Sequence, residues 1–428
     1  MQCIYSNEIG EQHFGKEIKV AGWIEDIRNL GGIAFIILRD RYGRMQITAI
    51  KKENKEAFKK IVSLNRESVV MVYGICQPNE KVMNGWELLL KNFEVLSMAD
   101  APLPMGVVDK VGVDFDTRLD NRIIDLRREE VKAIFEIRHS FIKFASEYLE
   151  KYGFIEIHTP KITAMSSEGG TEVFKIDYFG KPAYLVQSPQ LYKQMLMATG
   201  FDRVYEIAWY FRAEQHDTTR HLNESTAIDV EMAFIESEED VMRIVEGMTD
   251  YAIQKIMEEN EKQLELLKVS IDLPSLPYAR IKYDEVVEIL QKEIDFKWGD
   301  DLGTDEENIL AKHINDEIYF IKDFPLESKP FYAMPRDKYA RAFDLEFRGM
   351  EISSGAQRIH SYEMLIERMK SLGMNIANFD DYLKAFRYGM PPHGGFGYGI
   401  ERFLMRLLNL KNIRECILFP RDRKRLRP

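Results

Sequence analysis

Cysteine is scarce in this chain of 428 residues: Cys3, Cys76 and Cys416 are the whole complement. They stand far apart, with no CxxC pair and no CxxH spacing. That excludes a disulfide scaffold, argues against a zinc site, and leaves three ordinary reduced thiols of a cytoplasmic protein. No uninterrupted apolar run approaches the roughly 18 residues of a membrane span, so no membrane partner is expected. The opening MQCIYSNEIGEQ lacks the basic-then-apolar pattern of a secretory leader. Internal repeats and low-complexity tracts are absent. Positive charge is in deficit as well, with 59 Lys and Arg against 70 Asp and Glu, a net charge of −11. That balance by itself weighs against a nucleic-acid partner.

The chain does hold enough apolar residues, 45% with 11% aromatic, to build sizeable cores, and its length calls for two or three domains. Charge is unevenly spread: residues 16–60 carry eleven Lys and Arg against six Asp and Glu. A positive N-terminal module can guide a polyanion while the acidic remainder supplies solubility. Residues 17–97 read as five short strands rich in Val, Ile, Phe and Trp, punctuated by Gly31-Gly32, Tyr42-Gly43, Gly74 and Asn84-Gly85. With one helical stretch at 53–64, that pattern predicts a five-stranded Greek-key barrel of the OB type. Such barrels present aromatic platforms to single-stranded nucleic acid. Phe35 and Gln46 fall on adjacent strands and could both face outward, core packing being the alternative for Phe35.

Residues 98–131 change character, with two prolines and then dense charge. The expected division is a barrel over 1–100, a hinge over 101–131 and a larger domain over 132–428. A helix with Ile134, Ile137, Phe141, Phe144 and Tyr148 on one face opens the larger domain and stops at Gly153. GFIEIHTPKI reads as a strand closed by Pro160, residues 236–270 as a long charged helical region, and residues 284–330 as mixed.

Three later stretches carry chemistry. In FRAEQHDTTRHLNESTAID (211–229), Arg212, Glu214, Arg220 and His221 occupy a polar loop between two apolar runs. Cations packed at a strand end need an anion, and a polyphosphate satisfies several at once. The plainer alternative is a surface hairpin with solvated charges. In RAFDLEFRGMEISSGAQRIH (341–360), Asp344 and Glu346 share a strand face, and buried acids on a strand require a cation. Glu351 and Ser354 would suit a hydrated Mg²⁺ that also holds phosphates. Residues i and i+3 of a regular strand face opposite sides, so a bend or bulge is expected near Ser353-Ser354-Gly355. In PPHGGFGYGIERF, glycines 394, 395, 397 and 399 run into a helix with Arg402 in its first turn, a glycine-rich approach suited to a planar or phosphate ligand.

Taken in order, these segments resemble the three signature motifs of class II aminoacyl-tRNA synthetases. GFIEIHTPKI is similar to motif 1, VYEIAWYFRAEQHDTTRHLNE to motif 2, and GGFGYGIERF with LFPR to motif 3. The resemblance covers essentially the whole chain. It implies an α+β protein: an OB barrel, then a class II catalytic domain built on an antiparallel sheet flanked by helices. With the barrel, it is closest to the subgroup that charges Asp, Asn or Lys, and the length resembles the short archaeal type of aspartyl enzyme. A homodimer through motif 1 is implied.

QSPQLYKQ (187–194) resembles the aspartyl version, which puts Lys193 and Arg358 on the substrate's side-chain carboxylate. A neutral amide would leave two cations uncompensated there. Glu168, Asp229 and Gln190 match the positions that hold the substrate ammonium. For ATP, the resemblance places Arg212 on the α-phosphate, Glu214 at adenine, and Arg220 with His221 near the γ-phosphate. Arg402 and Gly399 would lie against the nucleotide, Arg212 and Arg402 being the catalytic pair. Asp344, Glu351 and Ser354 match Mg²⁺ positions, Glu351 also reaching ATP. Ser225 and Thr226 stand where many relatives carry an aromatic that stacks on adenine. In the barrel, Phe35, Gln46, Arg28 and Glu87 match anticodon-contacting positions. The implied reaction is ATP-dependent formation of aspartyl-adenylate and transfer to the aspartate tRNA, with the asparagine tRNA as an open second acceptor. An asparaginyl enzyme, an amide-forming adenylating enzyme of this fold and a non-catalytic RNA-binding regulator are the rivals. Intact Arg212, Glu351 and Arg402 oppose the last.

Overall fold

The computed structural model describes residues 2–108, 112–164, 172–215, 218–272 and 275–427. It divides into two compact units, Met1–Asp114 and Phe115–Pro428. The division falls inside the segment read as a hinge, and residues 115–131 lie in the second unit.

The first unit is a closed barrel of five strands, β1 (Glu17–Asn29), β2 (Ile33–Arg39), β3 (Arg44–Ile50), β4 (Val69–Pro78) and β5 (Trp86–Ser97), in the order β1-β2-β3-β5-β4. One helix, α1 (Lys55–Ile61), is capped by the Asn54 side chain, which accepts from the Ala57 N–H. Period-two alternation sends Ala34, Ile36 and Leu38 into the barrel core with Val20, Ile47 and Val72. The same alternation puts Phe35 outside that core.

In the second unit, α2 (Glu129–Lys151) buries Ile134, Ile137, Phe141, Phe144 and Tyr148, as their spacing dictates, and stops before Gly153 at φ 83°. Around it stands an eight-stranded sheet. Its members are β6 (Ile155–Glu156), β7 (Arg203–Phe211), β8 (Glu224–Ala233), β9 (Ala279–Lys282), β10 (Ile318–Lys322), β11 (Ala342–Phe347), β12 (Glu351–Gln357) and β13 (His393–Gly399). They run in the order β9-β10-β11-β12-β13-β8-β7-β6, antiparallel except for the pairs β9–β10 and β6–β7. Helices α3 (Gln190–Met197), α4 (Glu238–Glu259), α5 (Thr304–His313) and α6 (Ile400–Leu407) belong to the same unit.

Several sequence expectations change in detail. The glycine-rich stretch, read as a ligand approach running into a helix, is a central strand, β13, paired on both sides. Residues 341–360 form a hairpin that turns at Arg348-Gly349, both at positive φ, rather than one strand. Only two residues of the GFIEIHTPKI segment, β6, pair with the sheet before Pro160. The mixed segment 284–330 supplies α5 and the strand β10.

Candidate active site

Sheet register builds the site. Glu206, Asp229, Gly397, Ser354 and Asp344 pair directly across β7, β8, β13, β12 and β11, so they share one face. Two residues along β8, Glu231 joins that face opposite Gly395. The intervening residues Ile228, Val230, Phe396, Tyr398, Phe343 and Leu345 point the other way into the core beneath α2 and α4. A sheet with one apolar and one acidic face results, and the acidic face floors a cleft of about 330 Å³. Gln190, Arg212, Asp229, Glu351, Arg358 and Arg402 are among its walls.

At one end, four buried charges interlock. The Lys193 ammonium donates to Asp229 Oδ1 at 2.9 Å and to the carbonyls of Val230 (3.2 Å) and Phe396 (2.9 Å), and lies 3.5 Å from Glu231 Oε2. Arg358 grips Glu231 with Nε at 3.0 Å and Nη2 at 3.2 Å, which leaves Nη1 as the nitrogen not engaged by that carboxylate. Burial alone would raise the Glu231 carboxyl, but Arg358 and then Lys193 hold it below its ordinary value. Tyr210 donates to the second Asp229 oxygen at 2.5 Å. Each cation therefore already has its own acid. This corrects the expectation of two uncompensated cations waiting for a carboxylate: Lys193 is spent beneath the floor, and Arg358 is the one that lines the cleft. Gln190 Nε2 is buried with no partner among the described residues, a donor aimed at whatever enters. Glu168 lies outside the described residues.

At the other end, Arg212 closes β7, its backbone exchanging hydrogen bonds with Asn223 across the motif 2 hairpin. Its guanidinium stacks 5.4 Å from the Tyr210 ring. Glu214 has a buried oxygen without a hydrogen-bond partner among the described residues, and His221 Nε2 approaches it at 3.8 Å. Arg220 is not poised in solvent: Nη1 donates to Glu307 Oε2 at 2.5 Å and Thr304 Oγ1 at 3.1 Å, and Nη2 to the Gly349 carbonyl at 3.2 Å. Arg402, in the first turn of α6 beyond Gly399, donates to the Glu351 carbonyl at 3.3 Å and lies 3.8 Å from its carboxylate. Ser225 lines the cleft opposite Tyr210.

The expected strand irregularity exists, displaced toward the turn. Asp344 pairs with Ser354 and Leu345 with Ser353, but Glu346 pairs with Glu351, so Ile352 is the extra residue. This puts Glu351 and Ser354 on one face with Asp344 and Glu346. Lys329 takes Asp344 Oδ2 at 2.7 Å, while Asp344 Oδ1 and Glu346 Oε2 are buried without partners among the described residues. Burial, followed by Glu307 and Glu351, pushes the Glu346 carboxyl well above its usual range; burial and then Asp344 raise Glu351. Among the described residues, no three His, Cys, Asp or Glu converge to hold a metal unaided.

On the barrel, Arg28 and Phe35 pair across β1 and β2, and Phe35 pairs with Thr48 across β2 and β3, one outward row. Glu87 is buried rather than presented. It accepts from Thr48, from Gln46 at 3.0 Å and from Gln77 at 2.8 Å, so it fixes the Gln46 amide.

Sequence reasoning missed Glu231, Lys329, Glu307 and Tyr210. Glu231 was within reach, since it stands two residues from Asp229 on the same strand. Lys329 and Glu307 come from the mixed segment, and no local pattern marks them.

The family model described as tRNA synthetases class II (D, K and N) matches residues 114–423, and that described as OB-fold nucleic acid binding domain matches 18–96. Over 435 residues the chain is 53% identical to the aspartate–tRNA(Asp) ligase of Pyrococcus furiosus, covering 99% of each. It is 50% identical to the aspartate–tRNA(Asp/Asn) ligase of Methanopyrus kandleri over 427 residues, again with 99% of each covered. Among solved structures, the asparaginyl-tRNA synthetase of Pyrococcus horikoshii complexed with asparaginyl-adenylate superposes at a TM-score of 0.93, with 33% identity over all of both chains. Among the described residues, no helix is long and apolar enough to cross a membrane.

Proposed function

The chain belongs to the class II tRNA synthetases of the D, K and N group, and from that membership we infer that it joins L-aspartate to tRNA using ATP. The observation that carries the reading is the amino-acid end of the cleft: Arg358, held rigid by Glu231, beside Asp229 and Gln190 Nε2, which has no partner among the described residues. The substrate's side-chain carboxylate meets the remaining edge of Arg358, its ammonium meets Asp229 and the Gln190 amide oxygen, and the Gln190 Nε2–H is left to donate to a carboxylate oxygen. A planar guanidinium fixed on one side offers a carboxylate a preorganised fork.

No side-chain nucleophile is needed. The aspartate α-carboxylate attacks the α-phosphorus in line while Arg212 orients that phosphate, and pyrophosphate leaves toward Arg220 and Arg402. The terminal 3′-hydroxyl of tRNA then attacks the adenylate carbonyl, and AMP departs. Positioning and fixed positive charge supply the acceleration.

The acidic patch fits Mg²⁺: two buried oxygens lack partners among the described residues, and burial together with the neighbouring acids raises Glu346 and Glu351 above their ordinary range. Glu351, Ser354 and the free oxygen of Asp344 would hold the ion, with phosphates and waters completing its shell. When bound, it would neutralise charge on the leaving pyrophosphate. The outward row Arg28–Phe35 with Gln46 is the barrel's anticodon face, Phe35 being the stacking platform. A homodimer belongs to the same reading, since the short edge strand β6 leaves Ile155 exposed.

Pyrophosphate exchange with aspartate and asparagine separately tests the reading. Aspartate alone should drive it, and exchange driven by asparagine instead would overturn it. Charging of both purified tRNAs then decides the second acceptor.

A further inference from the structure

We propose that Glu307 is the positioning residue that holds Arg220 for the outer phosphates of ATP, a role that rests on the nucleotide reading of the cleft. Glu307 lies on α5, outside all three motif segments, and is buried. Its carboxylate is forked between two functional pieces. Oε2 takes Arg220 Nη1 at 2.5 Å, and Oε1 takes the backbone N–H of Glu351 at 3.1 Å. That N–H lies beside the Ile352 bulge, where the regular ladder is interrupted. One side chain thus fixes a phosphate-facing cation and the backbone of the carboxylate that faces it.

The surroundings reinforce the arrangement. Thr304 at the start of α5 adds a bond to the same Arg220 nitrogen. Arg220 and Arg406 both donate to the Gly349 carbonyl, at 3.2 and 2.9 Å, so the hairpin turn is clamped from two elements. Gly349 sits at φ 69°, where an added Cβ would lie 3.1 Å from Ala311 and 3.3 Å from the Glu307 carbonyl; α5 packs directly on the turn. An unheld arginine samples many rotamers, and immobilising it before the nucleotide arrives removes that loss from binding.

A glutamine at 307 offers one acceptor oxygen where the carboxylate offers two, so one of the two contacts must be lost and an N–H faced by a donor. The test is pyrophosphate exchange on E307Q, E307D, R220A and the E307Q/R220A double variant, with thermal melts to verify folding. E307Q should raise the KM for ATP by about tenfold, the scale of one lost charge-assisted bond, and lower kcat with it, while the KM for aspartate stays within about twofold. E307D, which keeps the charge, should recover part of the loss. On the R220A background, E307Q should add clearly less than it does alone, because the part of its effect that passes through Arg220 is already gone and only the Glu351 contact remains. An unchanged ATP KM in E307Q, or effects that multiply fully in the double variant, would overturn the proposal. An unchanged ATP KM in R220A also overturns it, and assigns the failure to the nucleotide reading of Arg220 rather than to Glu307.

Discussion

Glu351 and Ser354, three residues apart on one strand, present their side chains to the same face because Ile352 is an extra residue in the ladder. Without it, one of the two would point into the core among Phe343 and Leu345. The bulge converts an ordinary hairpin into a pair of hard oxygen ligands opposite Asp344.

Glu351→Gln should therefore keep the fold and lose the metal-dependent step. An amide is a poor ligand for a hard cation, and replacing one of several crowded acids relieves repulsion, so the melting temperature should hold or rise. Exchange activity should fall by at least about two orders of magnitude, as for loss of one major charge-stabilising group. Titration with Mg²⁺ checks it: an unaltered Mg²⁺ midpoint in the variant would remove Glu351 from the metal site.

Lys193→Met should damage stability together with aspartate activation. Lys193 is 1% exposed, and its ammonium holds Asp229 in place while lying beside Glu231, so its removal strands a buried acid. Breaking such a pair costs about 3–5 kcal/mol. Because Lys193 acts through Asp229, the loss should appear in the KM for aspartate with ATP binding spared. A variant that melts normally and activates aspartate within tenfold of wild type would show that the Asp229 contact is dispensable.

The barrel, the helix α2 and the strands β7 and β8 were legible because each states its burial through local periodicity, 2 for strands and 3.6 for the helix. The glycine strand β13 was not. Glycine weakens a strand, so the run reads as a ligand approach and not as a strand, yet this strand needs missing side chains. A Cβ at Gly395 would fall 2.1 Å from the Val230 carbonyl and 2.2 Å from Glu231 Oε2, displacing the acid that steadies Arg358. The charge balance of the cleft was equally hidden. Pairings such as Arg220 with Glu307, 87 residues apart, are set by tertiary packing and leave no spacing signal.

Phe35→Ala should impair tRNA charging and leave pyrophosphate exchange untouched. Ala34 and Ile36 fill the barrel while Phe35 faces outward beside Arg28, so truncation removes a platform and leaves the core intact. Stacking on one base is worth about 1–3 kcal/mol. The KM for tRNA should rise accordingly, by roughly tenfold or more. Equal losses in both half-reactions, with a lowered melting temperature, would mean that the ring packs structurally after all.

Acid should weaken the fold through His393. This imidazole is wholly buried at the head of β13, with Nδ1 2.9 Å from the Pro391 carbonyl and Glu231, Arg358 and His360 as charged or titratable neighbours. Burial is the leading cause that pushes it from 6.5 down to about 4. Between those values the unfolded chain binds a proton that the folded chain refuses, so stability rises with pH across the window and is lost as pH falls through it. The shift corresponds to about 3 kcal/mol by the lower end of the window. His393→Gln cannot take up that proton in either state. Urea midpoints measured from pH 7 down to pH 4.5 should fall less steeply for the variant than for wild type, whatever the offset between them at pH 7. Parallel curves would mean that His393 is not the group whose burial resists acid.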